Sequence, residues 1–182
     1  MIKKILIAVG VLIVILVFAV AAAVMLTPTD FAVERDVVIN KPRAEVFAYA
    51  KLLKNQNDWG PWARRDPAMK QEFVGADGAP GFVSKWTSQD PNVGSGEQEI
   101  RKIVPNERID TELRFKEPFE SKADSYLITE DAGEGKTKVR WGFTGSMPRP
   151  MNVMLLAVDM DKEIGKDFDE GLASLKRILE SQ

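Results

Sequence analysis

The segment FAVERDVVINKPRAEVF, residues 31–47, changes from a strand pattern to a helix pattern within a few residues. Apolar side chains that alternate with polar ones over residues 32–39 indicate a strand. Asn40 then suits a helix N-cap and Pro42 suits a first helical turn, so a short helix is predicted over residues 43–53. The folded part of the chain therefore begins with one strand followed directly by a helix.

Six more strand-like runs follow, separated by short turn signals rich in Gly, Pro, Asn and Asp. They lie at about 69–74, 82–88, 95–104, 107–115, 119–130 and 136–145. Consecutive strands joined by tight turns predict an antiparallel meander, which makes seven strands with the first one. Gly94-Ser95-Gly96 opens a strand and not a helix, so it is interpreted as a turn or bulge instead of a phosphate loop.

A long C-terminal helix is predicted to open at Met147-Pro148-Arg149-Pro150 and to run to the end of the chain. Its apolar side chains recur mostly at spacings of three and four and mark one core-facing stripe. The stripe consists of Met154, Val158, Ile164, Phe168, Leu172, Leu175 and Leu179. The order of elements predicts an α+β fold in which a curved sheet covers this helix and a gap between them becomes an apolar cavity.

A membrane-spanning helix is predicted ahead of this domain. From Ile5 to Leu26 the chain has twenty-two residues without a charged or strongly polar side chain, and Lys3 and Lys4 precede them. A helix of that length measures about 33 Å, enough to cross a hydrocarbon core of about 30 Å. The two lysines favour a cytoplasmic N-terminus, with everything after Leu26 outside the cytoplasm.

The competing interpretation is a cleaved signal peptide, since residues 19–23 contain small-x-small cleavage patterns. The apolar run is longer than the roughly 7–15 residues usual for the apolar h-region of a signal peptide, which favours a retained anchor. We therefore expect a single-pass inner-membrane protein with a cytoplasmic segment 1–4, a spanning helix 5–26, a linker 27–31 and an extracytoplasmic, periplasmic domain 32–182.

Composition excludes several functional classes. The chain has 25 basic residues, two of them Lys3 and Lys4, against 27 acidic ones, which leaves a net charge of −4 after the membrane run. No basic stripe indicates nucleic acid as a partner. The chain also has no histidine and no cysteine, which removes the Ser-His-Asp triad, Cys nucleophiles and almost every transition-metal site. We expect no metal and no cofactor, and we assign no catalytic residue.

Several segments together resemble a known superfamily. Besides residues 31–47 they are Asn57–Trp62, Val93–Gly96, Phe115–Phe119 and Asp159–Leu172. Over residues 31–180 the sequence resembles the START-like, helix-grip superfamily (SRPBCC), specifically its bacterial polyketide cyclase/dehydrase-type branch, here with an N-terminal membrane anchor. The resemblance implies a helix-grip fold, in which a seven-stranded curved antiparallel sheet wraps around a long C-terminal helix and two short helices follow the first strand.

Members of that superfamily share a cavity and not a reaction, so the resemblance implies ligand binding and leaves the chemistry open. Aromatic side chains together with adaptable methionines suit a flat or flexible apolar ligand. The predicted lining consists of Trp62, Phe73, Trp86, Phe115, Tyr126, Trp141, Met151, Met154 and Phe168. The alternative for each of these residues is that it only fills the core.

Two further pairs of residues have both an ordinary and a functional interpretation. Trp59 and Trp62 flank a Gly-Pro break, where both rings plug the end of the core or one of them forms the mouth of a pocket. Glu97 and Glu99 point to one face of a strand, which is either an exposed face or an acid/base pair.

Acidic residues recur near the start of the C-terminal helix. They are Asp159, Asp161, Glu163 and Asp167, interleaved with Lys162 and Lys166. Oxygen ligands suit Ca²⁺ or Mg²⁺, but lysines at pairing distance indicate a solvated helix face.

Three functional hypotheses follow. The first is a membrane-anchored domain that contacts the bilayer through residues 5–26 and binds a hydrophobic small molecule or lipid between the sheet and the C-terminal helix. The second is a polyketide cyclase- or dehydratase-like enzyme with a cavity acid such as Tyr126 or Glu99, which requires an ionisable group buried beside the aromatics. The third is a ligand-free envelope interaction module, without a cavity above about 300 Å³.

Overall fold

Seven strands form one curved antiparallel sheet in the computed structural model, which describes residues 2–182. The helices are α1 Ile2–Leu26, α2 Arg43–Ala50, α3 Gln56–Trp59, α4 Pro61–Arg65 and α5 Met160–Glu180. The strands are β1 Asp30–Ile39, β2 Lys70–Val74, β3 Val83–Thr87, β4 Ser95–Val104, β5 Arg108–Glu117, β6 Ser121–Asp131 and β7 Thr137–Ser146. Two 3₁₀ segments, Leu53–Asn55 and Met151–Leu156, complete the described elements.

The strand order is β1-β7-β6-β5-β4-β3-β2, so β2 to β7 form the predicted meander and β1 lies beside the last strand. The β4–β5 pairing shifts register at Ser95/Gly96 and again at Ile100/Lys102. Such shifts bend a strand and increase its twist, which curves the sheet. Gly94 before the first shift has a φ of 63°, a left-handed conformation that favours glycine, in agreement with the predicted turn or bulge.

The chain divides into two compact units. One, the sheet unit, comprises Ala32–Gly145 and Met160–Gln182. The other, the N-terminal unit, combines the residues up to Phe31 with Ser146–Asp159, which lie within the range expected for the ligand-binding domain.

The core of the sheet unit forms where the concave face of the sheet covers α5. Phe168 of α5 stacks on Trp141 of β7 with ring centroids 4.0 Å apart and an interplanar angle of 6°. Trp59 meets Trp141 edge-on at 4.9 Å and is fully buried. Gly171 allows this approach, since a Cβ there would lie 2.9 Å from the Trp141 ring. Three aromatic rings and one glycine thus bring helix and sheet together.

The predicted start of the C-terminal helix at residues 147–150 is wrong. The regular helix begins only at Met160, after the 3₁₀ segment and a short break. The buried side of α5 includes Phe168, Leu172, Leu175 and Leu179, as predicted, whereas Met154 and Val158 are exposed. A prediction from apolar spacing alone therefore included Met154 and Val158, which lie before the helix begins.

The N-terminal unit consists of α1 and a segment, residues 147–158, that caps its end; we call this the capping segment. The guanidinium of Arg149 donates hydrogen bonds to the carbonyls of Val24 and Met25 at 3.1 and 3.2 Å. The amide of Asn152, fully buried, donates to the carbonyls of Val24 and Thr27 at 2.9 and 2.8 Å. The last carbonyls of a helix have no partner within it, and here these two side chains supply one.

Helix α1 is long and apolar enough to cross a membrane, and it is the single such helix within residues 2–182. Its 25 residues correspond to about 38 Å. A signal sequence passes the same test of length and composition.

The aromatic stack predicts a large effect of Phe168→Ala on stability. Phe168 is 2% exposed, so truncating it should lower the free energy of unfolding by about 3–5 kcal/mol through lost burial and the cavity left behind. Urea unfolding of the full chain in detergent, followed by tryptophan fluorescence, measures this. Phe119→Ala is the matched control, because Phe119 is 78% exposed and its loss should change the free energy by less than about 0.5 kcal/mol. Equal effects of the two changes would contradict the assigned core.

Candidate functional site

A cavity of about 250 Å³, partly open to solvent, lies within the sheet unit between the concave face of the sheet and α5. Its volume is below the roughly 300 Å³ at which ligand pockets usually begin. Volume alone is therefore compatible with the interaction-module hypothesis, and the chemistry of the lining has to distinguish the hypotheses.

Aromatic rings form two walls of the cavity. In the first wall Trp62 meets Trp141 edge-on at 5.7 Å, and Trp141 stacks on Phe168. In the second wall Trp86 and Phe115 meet edge-on at 6.0 Å. These aromatic walls offer flat apolar surfaces to a ligand in the cavity.

Neutral polar side chains on three strands, Ser84, Gln98 and Ser125, also line the cavity; we call them the polar row. The amide nitrogen of Gln98 donates to the Thr111 hydroxyl at 3.1 Å, and the Ser125 hydroxyl donates to the Gly142 carbonyl at 2.9 Å. The side chains of Ser84 and Gln98 line the cavity, so a molecule that enters it meets polar groups there.

Two side-chain pairs contribute lining residues at the rim of the cavity, and we call them the rim pairs. Asn57 of α3 and Gln71 of β2 exchange two amide hydrogen bonds at 2.8 and 2.7 Å. Arg65 of α4 forms a bidentate ion pair with Asp167 of α5, and this pairing raises the pKa of the Arg65 guanidinium. Asp167 is the one ionisable residue among the described lining residues, and its charge is already matched by Arg65.

The structure brings five of the nine residues predicted for the cavity to its lining. They are Trp62, Trp86, Phe115, Trp141 and Phe168. Phe73 lies elsewhere and stacks on Phe82 with centroids 6.1 Å apart. Met151 and Met154 belong to the capping segment of the N-terminal unit, where both are exposed. Of the tryptophan pair at the Gly-Pro break, Trp59 lies in the core and Trp62 lines the cavity.

Tyr126 lies on the outer face of the sheet. Its ring covers the position where Gly142 would carry a Cβ, and its hydroxyl donates to the Glu34 carboxylate at 2.6 Å. Burial raises the pKa of this hydroxyl, and the hydrogen bond to Glu34 adds to the rise. Because adjacent residues of a strand point to opposite faces, Ser125 faces the cavity and Tyr126 does not.

The carboxylates of Glu97 and Glu99 also lie away from the cavity lining. Arg114 bonds to Glu97 at 2.6 Å and to Glu99 at 2.8 Å. The hydrogen bond from Arg114 is the largest cause that lowers the pKa of the Glu99 carboxyl, and Arg101 adds to it. Both acids are paired with arginine, so they are structural partners on the outer face of the sheet.

Asp159, Asp161 and Glu163 are exposed, in agreement with the solvated face that their spacing indicated, whereas Asp167 is half-buried. Asp161 and Asp169 pair with Arg35 of β1, at 2.8 and 3.4 Å, while Asp167 pairs with Arg65 at the cavity rim. Among residues 2–182 no group of three His, Cys, Asp or Glu side chains is placed to hold a metal ion. Asp161, Asp167 and Asp169 therefore form ion pairs with arginines that are distant in sequence.

The sequence analysis missed the polar row and the rim pairs. Ser84, Gln98 and Ser125 are ordinary strand residues in the sequence, and no motif marks them. The alternation of side chains along a strand puts Gln98 on the face opposite Glu97 and Glu99. Alternation alone does not tell which face of β4 is concave, so it could not assign Gln98 to the cavity.

The strand order, the short helices after β1 and the terminal helix against the concave face define a helix-grip protein with an internal cavity. The family model for "Polyketide cyclase / dehydrase and lipid transport" matches residues 30–180, and the chain belongs to this family. No curated protein matches the sequence significantly.

Solved structures of similar fold have low sequence identity to this chain. A protein from Thermobifida fusca has a TM-score of 0.60 and 16% identity, covering 81% of this chain and 92% of its own. Protein CV1439 from Chromobacterium violaceum has a TM-score of 0.57 and 14% identity, covering 82% and 96%. The crystal structure of Ara h 8.0201 has a TM-score of 0.56 and 17% identity, covering 84% and 99%. At these identities the likeness shows the fold alone.

The two tyrosines of the chain predict an unusual alkaline titration. Burial and the nearby Asp58 raise the pKa of Tyr49 from 10.0 to about 12, and the pKa of Tyr126 is raised as well. The native protein should therefore show little tyrosinate absorbance at pH 10. The unfolded protein gives up these protons near pH 10, so their contribution to stability is intact below pH 10 and is lost as the pH rises through the folded-state pKa values.

Tyr126→Phe assigns the signal, because the remaining absorbance change then belongs to Tyr49. A tyrosine that titrates in the folded protein with a pKa of 10 would contradict the burial and the carboxylate contact described for that side chain.

Proposed function

We propose that this protein is a membrane-anchored, extracytoplasmic binding protein for a small, largely apolar molecule that contains an uncharged hydrogen-bonding group. The observation that carries the proposal is the cavity, in which aromatic walls enclose the polar row. Membership in a family described by lipid transport as well as by cyclase and dehydrase activity supports a hydrophobic ligand.

The lining chemistry supports this class of ligand. An ionised ligand would lose its hydration and find Asp167 as the one charged lining residue, already paired with Arg65. A pure hydrocarbon would cover the polar row without replacing its hydrogen bonds to water. A ligand with a hydroxyl, carbonyl or amide group on an apolar body packs against the aromatic walls and forms hydrogen bonds with the polar row.

The size of the cavity supports a compact ligand. A volume of about 250 Å³ admits one small ring system or a short acyl segment, and a diacyl phospholipid is several times larger. The proposal therefore favours a small amphipathic molecule, or a single chain inserted past the rim, over a whole phospholipid.

Neither acid named in the enzyme hypothesis lies at the cavity, where Asp167, paired with Arg65, is the one ionisable residue among the described lining residues. Tyr126 hydrogen-bonds to Glu34 on the outer face, and Glu99 is bonded by Arg114 away from the lining. General acid–base chemistry requires the acid within hydrogen-bond reach of the reacting atom, so neither group reaches a ligand in the cavity.

Contacts at the end of α1 support retention of this helix as an anchor. Asn152 and Arg149 are more than a hundred residues away in the sequence, yet both side chains donate to carbonyls at residues 24–27. Cleavage near residues 19–23 would remove most of α1 and leave Arg149 and Asn152 bonded to a short remnant of the helix. A retained anchor, with Lys3 and Lys4 in the cytoplasm, tethers the sheet unit to the bilayer, where apolar ligands concentrate.

The polar row predicts a measurable preference between two matched probes. The full chain in lipid nanodiscs should bind 2-naphthol about fivefold more tightly than naphthalene, since one net hydrogen bond is worth about 1 kcal/mol. Gln98→Leu, which keeps a side chain of similar size without the amide, should reduce this ratio toward one. Calorimetric titration, with empty nanodiscs as the reference for partitioning, measures both affinities.

Gln89→Leu is the matched control, because Gln89 is an exposed turn residue outside the cavity and its loss should leave the ratio unchanged. Native mass spectrometry of the detergent-extracted full chain is an independent check, and we expect a small co-purifying molecule. Failure of both probes to bind, together with a consistently empty protein, would favour the interaction module.

Retention of α1 predicts the mass of the protein in cells. Intact protein from the membrane fraction should have the mass of the whole 182-residue chain, 20.3 kDa. Carbonate washing should leave it in the membrane, as expected for a spanning helix. A released chain that begins between residues 20 and 27 would contradict the anchor while leaving the cavity proposal to be tested by the probes.

A further inference from the structure

The capping segment exposes an apolar surface. Met151, Met154 and Leu156 are 50%, 45% and 68% exposed, and Val158 is exposed as well. The segment has one charged residue, Arg149, and no acidic one. Isolated exposed apolar residues are common on proteins, but several in one short segment mark an interaction surface.

The hydrogen bonds to α1 determine where this surface lies along the helix. Arg149 and Asn152 are bonded to the carbonyls of Val24, Met25 and Thr27, so the segment is held at the last turn of α1. The amide of Met147 also donates to the Thr29 carbonyl at 2.7 Å. The position of the capping segment within this unit is therefore fixed by backbone carbonyls of the helix and the residues just after it.

The end of α1 coincides with a bilayer boundary when the helix spans a membrane. If Ile5 marks one edge of the hydrocarbon core, Leu26 lies about 32 Å further along the axis, and the core is about 30 Å thick. The capping segment then lies at the boundary, where exposed methionine and leucine side chains enter the acyl region and an arginine stays at headgroup level.

We propose that the capping segment is a membrane-docking surface whose partner is the lipid bilayer itself. The inference rests on the retained anchor of the proposed function and is independent of the ligand in the cavity. Continuity with α1 and the absence of acidic residues favour lipid over a second copy or another protein as the occupant. The segment then fixes the exit of α1 from the bilayer in addition to capping its carbonyls.

Fluorophores on single cysteines test this docking surface, because the natural chain has no cysteine. Met154→Cys and Leu156→Cys are labelled with bimane in the full chain, which is reconstituted into phosphatidylcholine–phosphatidylglycerol vesicles. Brominated phospholipid quenches labels in the bilayer, and iodide quenches labels in water. Leu16→Cys, in the middle of α1, is the lipid reference, and Ser181→Cys, exposed near the C-terminus, is the reference for water.

We expect both capping-segment labels to be quenched by brominated lipid like the Leu16 label and to be protected from iodide severalfold relative to the Ser181 label. Quenching by iodide at the level of Ser181, without an effect of brominated lipid, would overturn the inference. Protection from both quenchers would also overturn it, because a protein partner then covers the segment. The Leu16 label reports separately on the anchor, so a failed anchor is distinguishable from a segment that does not dock.

Discussion

The concave face of the sheet must be covered by α5, and the rest of the sheet unit depends on that contact. The stack of Phe168 on Trp141, with Trp59 against its edge, joins the helix, the last strand and the region of the short helices. Burial of such rings is among the largest favourable contributions in a core. Arg35 and Arg65 then hold α5 from two other elements through Asp161 and Asp167.

The same contact explains why a cavity exists at all. Aromatic side chains bring α5 to the sheet at one place, while the polar side chains of Ser84, Gln98 and Ser125 line the space further along the concave face. A filled apolar core would have used aliphatic residues at these positions, since interiors are otherwise close-packed. The cavity and its neutral polar row thus have one common origin in the choice of side chains on three strands.

The local sequence pattern predicted the strands well, but it did not predict which segments and side chains contact one another in the fold. Alternation and turn residues located the strands of the meander, because each hairpin is decided by neighbours in sequence. The helix start failed at residues 147–150, where Asn152 and Arg149 are used to cap a helix more than a hundred residues earlier. Tyr126 and Phe73 were predicted for the cavity from residue type, but Tyr126 lies on the outer face of its strand.

By itself, the sequence determined the spanning-length helix, the α+β order of elements and the absence of histidine and cysteine chemistry, since these depend on composition and short-range periodicity; the family followed from resemblance to its known members. Only the tertiary structure decided which face of each strand is concave, which acids meet arginines and which polar groups share a cavity with the aromatics. The reason is physical: a strand offers two faces with a period of two, and curvature and long-range packing choose between them.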